Sequence, residues 1–153
     1  MRDSGPIIVQ NGSKREAINF NFNGWAKYKN YQLDKFVPSK VANHFNISLT
    51  QATYKGKPVI LEGGAIDVNG KGTLLTSEEC LLHPTIQVRN PGFTKQDYEA
   101  IFKEYLGVTN VIWLGDGIIG DDTHGHIDDL CRFVDEKTII TVVETDIKSP
   151  NYA

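Results

Sequence analysis

The sequence holds only two cysteines, Cys80 and Cys131, among 153 residues. Two thiols cannot build a disulfide framework, and their scarcity fits a reducing compartment, so a cytoplasmic setting is expected. Positive charge is not in excess either: the net charge is −3 and the pI is near 5.8. Sequence-independent nucleic-acid binding needs a basic face, so no nucleic-acid partner is expected. No apolar run approaches the roughly 18 residues of a membrane span. The start, Met1-Arg2-Asp3-Ser4-Gly5-Pro6, lacks the basic-then-apolar layout of a signal peptide, so no membrane partner is expected. What remains is an ordinary composition, 40% hydrophobic and 23% charged, long enough for one domain with a real core.

Against that background, Asp121-Asp122-Thr123-His124-Gly125-His126-Ile127-Asp128 stands out. It crowds carboxylates and imidazoles just after the apolar run Val111-Ile112-Trp113-Leu114, and core packing needs no such cluster. Histidine changes protonation near neutral pH, and residues two apart on a strand share a face. His126 and Asp128 are therefore expected to point together, a proton-handling group beside a cation-holding one.

Three segments share one plan. Asp3 leads into Ile7-Ile8-Val9, the turn Asn11-Gly12, and a returning strand over Ala17 to Phe22. Glu62 leads into Gly63 to Val68, the turn Asn69-Gly70, and Thr73 to Thr76. Asp128 leads into Leu130 to Val134, the turn Asp135-Glu136, and Thr138 to Val143. Asn-Gly between alternating apolar runs is a strong hairpin signal. The acids at 3, 62 and 128 are spaced by 59 and 66 residues, a recurrence that suggests repeated supersecondary units. Helix-like stretches lie between them, Lys35 to Phe45 and Thr94 to Leu106. The second has Thr94 as N-cap, Tyr98, Ile101, Phe102 and Tyr105 at helical spacing, and Gly107 as its stop. Each unit thus reads as a hairpin, a helix and a short strand such as Ile47 to Thr53 or Asn110 to Leu114, an α/β fold. Units arranged around an axis would bring one acid from each to a common centre.

Clustered carboxylates repel one another unless a cation joins them. A guanidinium offers paired N–H donors that match carboxylates bidentately. A metal held by His124, His126 and Asp128 is the competing reading, although Gly125 leaves the shared face of the two imidazoles open. His83 is expected in a loop and His44 at a helix end. Gly115-Asp116-Gly117-Ile118-Ile119-Gly120 fits G-x-G-x-x-G after a strand, but the residues after it are poor helix formers and negatively charged, unsuited to a pyrophosphate.

Five motifs in order carry a family resemblance: Met-Arg-Asp-Ser-Gly-Pro, Asn21-Phe22-Asn23-Gly24-Trp25, Leu61-Glu62-Gly63-Gly64, Thr76-Ser77-Glu78-Glu79-Cys80-Leu81-Leu82 and Asp122-Thr123-His124-Gly125-His126-Ile127-Asp128. From the first residue to about Thr145 the chain resembles the agmatine deiminases and the bacterial peptidyl-arginine deiminases of the guanidine-modifying pentein superfamily. The resemblance implies a propeller of ββαβ units with fivefold pseudosymmetry. It also implies hydrolysis of a guanidinium, such as that of agmatine, to a ureido group and ammonia without metal or organic cofactor. In that chemistry a cysteine thiolate attacks the guanidinium carbon, ammonia departs, and activated water releases the product. By motif match His126 is the general acid and base, Asp3 and Asp128 grip the guanidinium, Glu62 supports the site, and Asp122 is a further acidic contact. Arginine or peptidyl-arginine as substrate, and a non-catalytic guanidinium binder, remain open alternatives.

The resemblance also places the family's nucleophile in a glycine-rich segment near the carboxyl terminus, and no such segment occurs up to Ala153. The expectation is a single incomplete catalytic domain over residues 1–153, the central part of the propeller, about three of its five units. Such a chain is expected to lack a nucleophile, to leave agmatine unconverted and to self-associate. Cys80 has the apolar neighbours of a buried, inert thiol, and strand alternation turns Cys131 away from His126 and Asp128.

Overall fold

A computed structural model describes residues 2–152, so Met1 of the first motif and Ala153 lie outside the described residues. Strands Ile7–Asn11 (β1) and Lys14–Asn19 (β2) pair antiparallel, with Asn11 opposite Lys14. The two-residue loop is therefore Gly12-Ser13, one position later than the expected Asn11-Gly12. Gly12 takes φ +60°, the left-handed conformation that a tight hairpin demands. Helix Val37–Phe45 (α1) begins with Pro38 in its first turn and ends on left-handed Asn46. Strand Ser48–Gln51 (β3) then returns parallel to β2, so the sheet order is β1-β2-β3.

A minor hairpin of Thr53–Tyr54 (β4) and Lys57–Pro58 (β5) precedes the second unit. Strands Asp67–Val68 (β6) and Thr73–Ser77 (β7) pair antiparallel. Helices Glu78–Leu82 (α2) and Lys95–Leu106 (α3) follow, and Asn110–Leu114 (β8) lies parallel to β7. The order β6-β7-β8 repeats that of the first sheet. Strands Cys131–Phe133 (β9) and Ile139–Thr141 (β10) form one further antiparallel hairpin. The recurrence seen in the sequence is thus two complete ββαβ units and a third hairpin, an α/β architecture.

Two expected strand segments are something else. Gly63–Ala65 and Ile127–Asp129 are single 3-10 turns. Gly-Gly weakens a strand, and Asp128-Asp129 favours local turns over a ladder. His126 and Asp128 therefore do not meet through strand alternation.

The core explains why the helices sit where they do. Tyr98, Ile101 and Phe102 on one face of α3 are buried with Leu74, Ile18, Val59 and Leu61, each large side chain worth about 1.5–3 kcal/mol. Leu75, Ile127 and Cys131 form a smaller cluster beneath the 3-10 turn at 127–129. Trp113 packs against the larger core and donates to Glu99, a structural role. Val142, Val143 and Ile147 stay exposed.

Helix α3 starts as its sequence implies. Thr94 accepts from Asp97 N–H, and Asp97 accepts in return from Thr94 N–H at 2.9 Å, a complete capping box closed at the far end by left-handed Gly107. Lys55 Nζ also donates to Asp97 at 2.7 Å. The bond from Lys55, and then that from Thr94 N–H, hold this carboxyl well below the usual carboxylate range. A carboxyl depressed by folding stabilises above its unfolded pKa, and that stability is lost as pH falls toward the folded value. In urea titrations the advantage of the native chain over Asp97→Asn should be full at pH 7 and shrink below about pH 4. A pH-independent gap would mean that the charge contributes nothing.

Candidate functional site

The loop 115–126 after β8 is short of regular structure and long on internal bonds. The carboxylate of Asp121 accepts from Thr123 N–H (2.8 Å), Thr123 Oγ1 (2.7 Å), Gly125 N–H (2.8 Å) and His126 N–H (3.2 Å). Burial works against the charge, but these donors outweigh it and hold the Asp121 carboxyl below its ordinary range. His124 and Gly125 follow with φ +64° and +82°. A Cβ on Gly125 would stand 2.9 Å from Glu79 Cβ, so glycine is required there for space as well as conformation. His124 Nδ1 stands 2.9 Å from Glu79 Oε1, Gly117 N–H donates to Glu79, and Ser77 Oγ donates to Gly125 O. The loop is bolted to the start of α2.

This reversal sends the two imidazoles apart. His124 turns to Glu79 and lies edge-on to His83, at 4.8 Å between ring centroids. Burial first of all lowers its pKa. His126 turns inward, buried, and the 3-10 turn after it carries Asp128 back so that Nδ1 and Asp128 Oδ1 are 3.8 Å apart. A pair of neighbouring histidines on one metal is therefore not formed. Nor does a helix follow Gly115 to Gly120, so that glycine pattern forms no phosphate-binding helix start.

Asp3 and Glu62 arrive from the other two segments. Gly64, in the 3-10 turn at 63–65, donates N–H to Asp3 Oδ1 at 2.9 Å, while Trp25 Nε1 donates to Asp3 Oδ2 at 3.0 Å. A Cβ placed on Gly64 would lie 2.5 Å from His126 Nδ1, 2.8 Å from Asp3 Oδ1 and 3.0 Å from Asp128 Oδ1. Three polar atoms from remote parts of the chain thus surround the one residue without a side chain. Arg2 Nε sits 2.9 Å from Asp128 Oδ2, fixing that carboxylate from outside. Asp128 already pairs with a guanidinium, the chain's own.

Glu62 is wholly buried, and Arg89, equally buried, donates Nε to its Oε1 at 3.0 Å. Arg89 also donates to the carbonyls of Gln87 and Thr123, tying the Glu62 turn to the histidine loop. Next to it, Asn90 bonds both backbone groups of Ile60 and Tyr98 OH. Among the described residues, Glu62 Oε2 and His126 Nε2, like His124 Nε2, are buried without a partner. One donor atom each from Glu62, Cys80 and His126 lie within 4.8 Å of one another, the residues here able to hold a cation.

Asp122 sits differently. Its side chain is 59% exposed and engaged by Lys27 Nζ and Tyr28 OH. The Lys27 bond, then that of Tyr28, lowers its pKa. Both cysteines are buried and free. Burial above all, and then the Glu62 charge, pushes the Cys80 thiol well above the usual range, and burial raises Cys131 as well.

A family profile described as Porphyromonas-type peptidyl-arginine deiminase matches residues 1–153. A Yersinia pestis protein provisionally named agmatine deiminase is 42% identical over all of this chain and 41% of its own length. The agmatine deiminase of Pseudomonas syringae pv. tomato is 37% identical over 99% of this chain and 41% of its own. Among solved structures, an agmatine deiminase of Enterococcus faecalis superposes with a TM-score of 0.86 at 33% identity, covering 99% of this chain and 41% of that one. A C. jejuni agmatine deiminase with substrate bound gives 0.84 at 37% identity over 99% of this chain and 44% of that one. The chain thus spans about two fifths of the relatives it matches.

Proposed function

Because this chain belongs to the Porphyromonas-type peptidyl-arginine deiminase family, we propose that it supplies the cation clamp and proton-handling group of an agmatine deiminase-type hydrolase. The reaction converts agmatine and water to N-carbamoylputrescine and ammonia. The observation that carries the reading is the convergence of Asp3 Oδ1, Asp128 Oδ1 and His126 Nδ1 over Gly64. Trp25 and Arg2 hold the Oδ2 atoms of Asp3 and Asp128 from behind, so that Asp128 Oδ1 and the second lone pair of Asp3 Oδ1, which also accepts from Gly64 N–H, are left for a planar cation. Arg89 holds Glu62 in the interior through Oε1, where Glu62 supports His126. Asp122 is an outer substrate contact, reached only when Lys27 releases it. The ββαβ units are read as blades of a five-unit propeller, and residues 1–153 as one incomplete catalytic domain.

His126 supplies the proton that the departing nitrogen needs and takes one from the water that follows, work suited to an imidazole. The attacking thiolate is neither Cys80 nor Cys131, because both thiols are buried and shifted toward the neutral form. Agmatine is preferred over a peptidyl substrate because the relatives at 37–42% identity carry the agmatine deiminase name.

Isothermal titration of the tag-free chain tests the clamp without requiring turnover. Agmatine and butylguanidine should bind, putrescine should not, and Asp128→Asn should weaken agmatine by about 10–100-fold, the worth of one charge-assisted bond. Equal heats for agmatine and putrescine would refute the clamp. No ureido product should form, and product dependent on Cys80 or Cys131 would overturn the assignment of the nucleophile.

A further inference from the structure

The proposed chemistry makes no use of Cys80, yet the structure sets its sulfur beside two buried polar members of the site. Glu62, Cys80 and His126 each bring a donor atom to within 4.8 Å of the others. All three residues are buried, and two of them retain an unpartnered buried atom, Glu62 Oε2 and His126 Nε2. Buried polar atoms almost always have partners, so two residues with an orphaned atom gathered around a thiol call for an occupant. We propose that Glu62, Cys80 and His126 form a binding site for one thiophilic divalent cation of the zinc class.

The donor set suits that ion. Zinc takes thiolate, imidazole and carboxylate together, commonly with three protein ligands and an open fourth position. Tetrahedral bond lengths place such donors roughly 3.3–3.7 Å apart, so side-chain adjustment of about 1 Å closes the site. The supports are already built. Arg89 fixes Glu62 through Oε1 and leaves Oε2 free. Ser77 Oγ accepts from Cys80 N–H at 3.1 Å and donates to Gly125 O, so one hydroxyl links the backbone at Cys80 to the residue before His126. Asp121 holds His126 N–H from the other side. Groups of this kind orient metal ligands and tune their affinity.

The balance is simple. Zinc gains bonds to sulfur, nitrogen and oxygen, and the thiol proton leaves to solvent. Arg89 offsets the Glu62 charge, and the Asp3 and Asp128 carboxylates beside His126 offset part of the ion's. A cation here takes an imidazole lone pair and the free oxygen of Glu62, so metal occupancy and proton transfer by His126 exclude each other.

Zinc titration of the tag-free chain against a chromophoric chelator, with cobalt substitution for spectroscopy, tests this without any guanidine or turnover. One equivalent should bind tighter than about 1 µM. Cobalt should give a sulfur-to-metal charge-transfer band. The isosteric Cys80→Ser, and separately His126→Gln, should each weaken binding at least about 100-fold, while Cys131→Ser changes nothing. A measurement on the unmodified chain guards against misfolded variants: zinc should shift the imidazole nitrogen resonances of His126 and leave those of His44 unmoved. Absence of the sulfur band, or binding indifferent to Cys80→Ser, would overturn the proposal and would show that the Cys80 thiol stays idle. The guanidinium clamp would stand or fall separately, on its own titration.

Discussion

Arg89→Met should lower the free energy of unfolding by about 3–5 kcal/mol, the largest single-residue effect expected in this chain. The substitution leaves a carboxylate at zero exposure without its counter-charge. An ion taken out of water is tolerable only when a partner compensates, so the penalty is that of a stranded charge rather than the worth of one contact. Urea denaturation reads it as a shift of midpoint. The pairing is tested by the double variant Glu62→Met with Arg89→Met, which should be more stable than Arg89→Met alone. Recovery should be incomplete, because Arg89 also serves the carbonyls of Gln87 and Thr123. A double variant no better than the single would show that these carbonyl bonds, not the charge on Glu62, carry the loss.

Gly64→Ala should abolish guanidine binding, by at least about 100-fold, with a more modest overpacking cost of about 1–3 kcal/mol. The reason is space. The added methyl carbon would lie 2.5 Å from His126 Nδ1 and 3.0 Å or less from both clamp carboxylates, so all three must move at once. Gly70→Ala is the contrast. Gly70 has open space around its missing Cβ but φ +70°, so alanine there should cost stability through backbone strain and leave agmatine affinity unchanged. If Gly64→Ala binds agmatine normally, the three atoms around it are not the binding constellation.

The residues that proved legible in the sequence are those whose role is local. The caps at Thr94 and Gly107, the helical stripe Tyr98-Ile101-Phe102 and the existence of the three hairpins, though not their exact loops, follow from nearest-neighbour physics. The recurrence of acids at 3, 62 and 128 placed three carboxylates near a common point, and the structure brings Asp3 and Asp128 together over Gly64 with His126. Less was legible where the cause is tertiary. His126 and Asp128 do meet, but through a 3-10 turn and not a strand, since a Gly-Asp-rich segment gives no periodicity to read. Arg89 could not have been picked out: an arginine in the loop Gln87-Val88-Arg89-Asn90 looks solvated until Glu62, 27 residues earlier, is seen against it. The same holds for Trp25 on Asp3 and Arg2 on Asp128, and for Cys80, whose inert surroundings were evident but whose closeness to His126 was not.

The most direct measurement is a crystal structure of the chain soaked with agmatine. The account predicts the guanidinium lodged between Asp3 Oδ1 and Asp128 Oδ1, within hydrogen-bond reach of His126, with Gly64 beneath it. Agmatine bound elsewhere, with those two carboxylates still joined only to Trp25, Gly64 and Arg2, would contradict it.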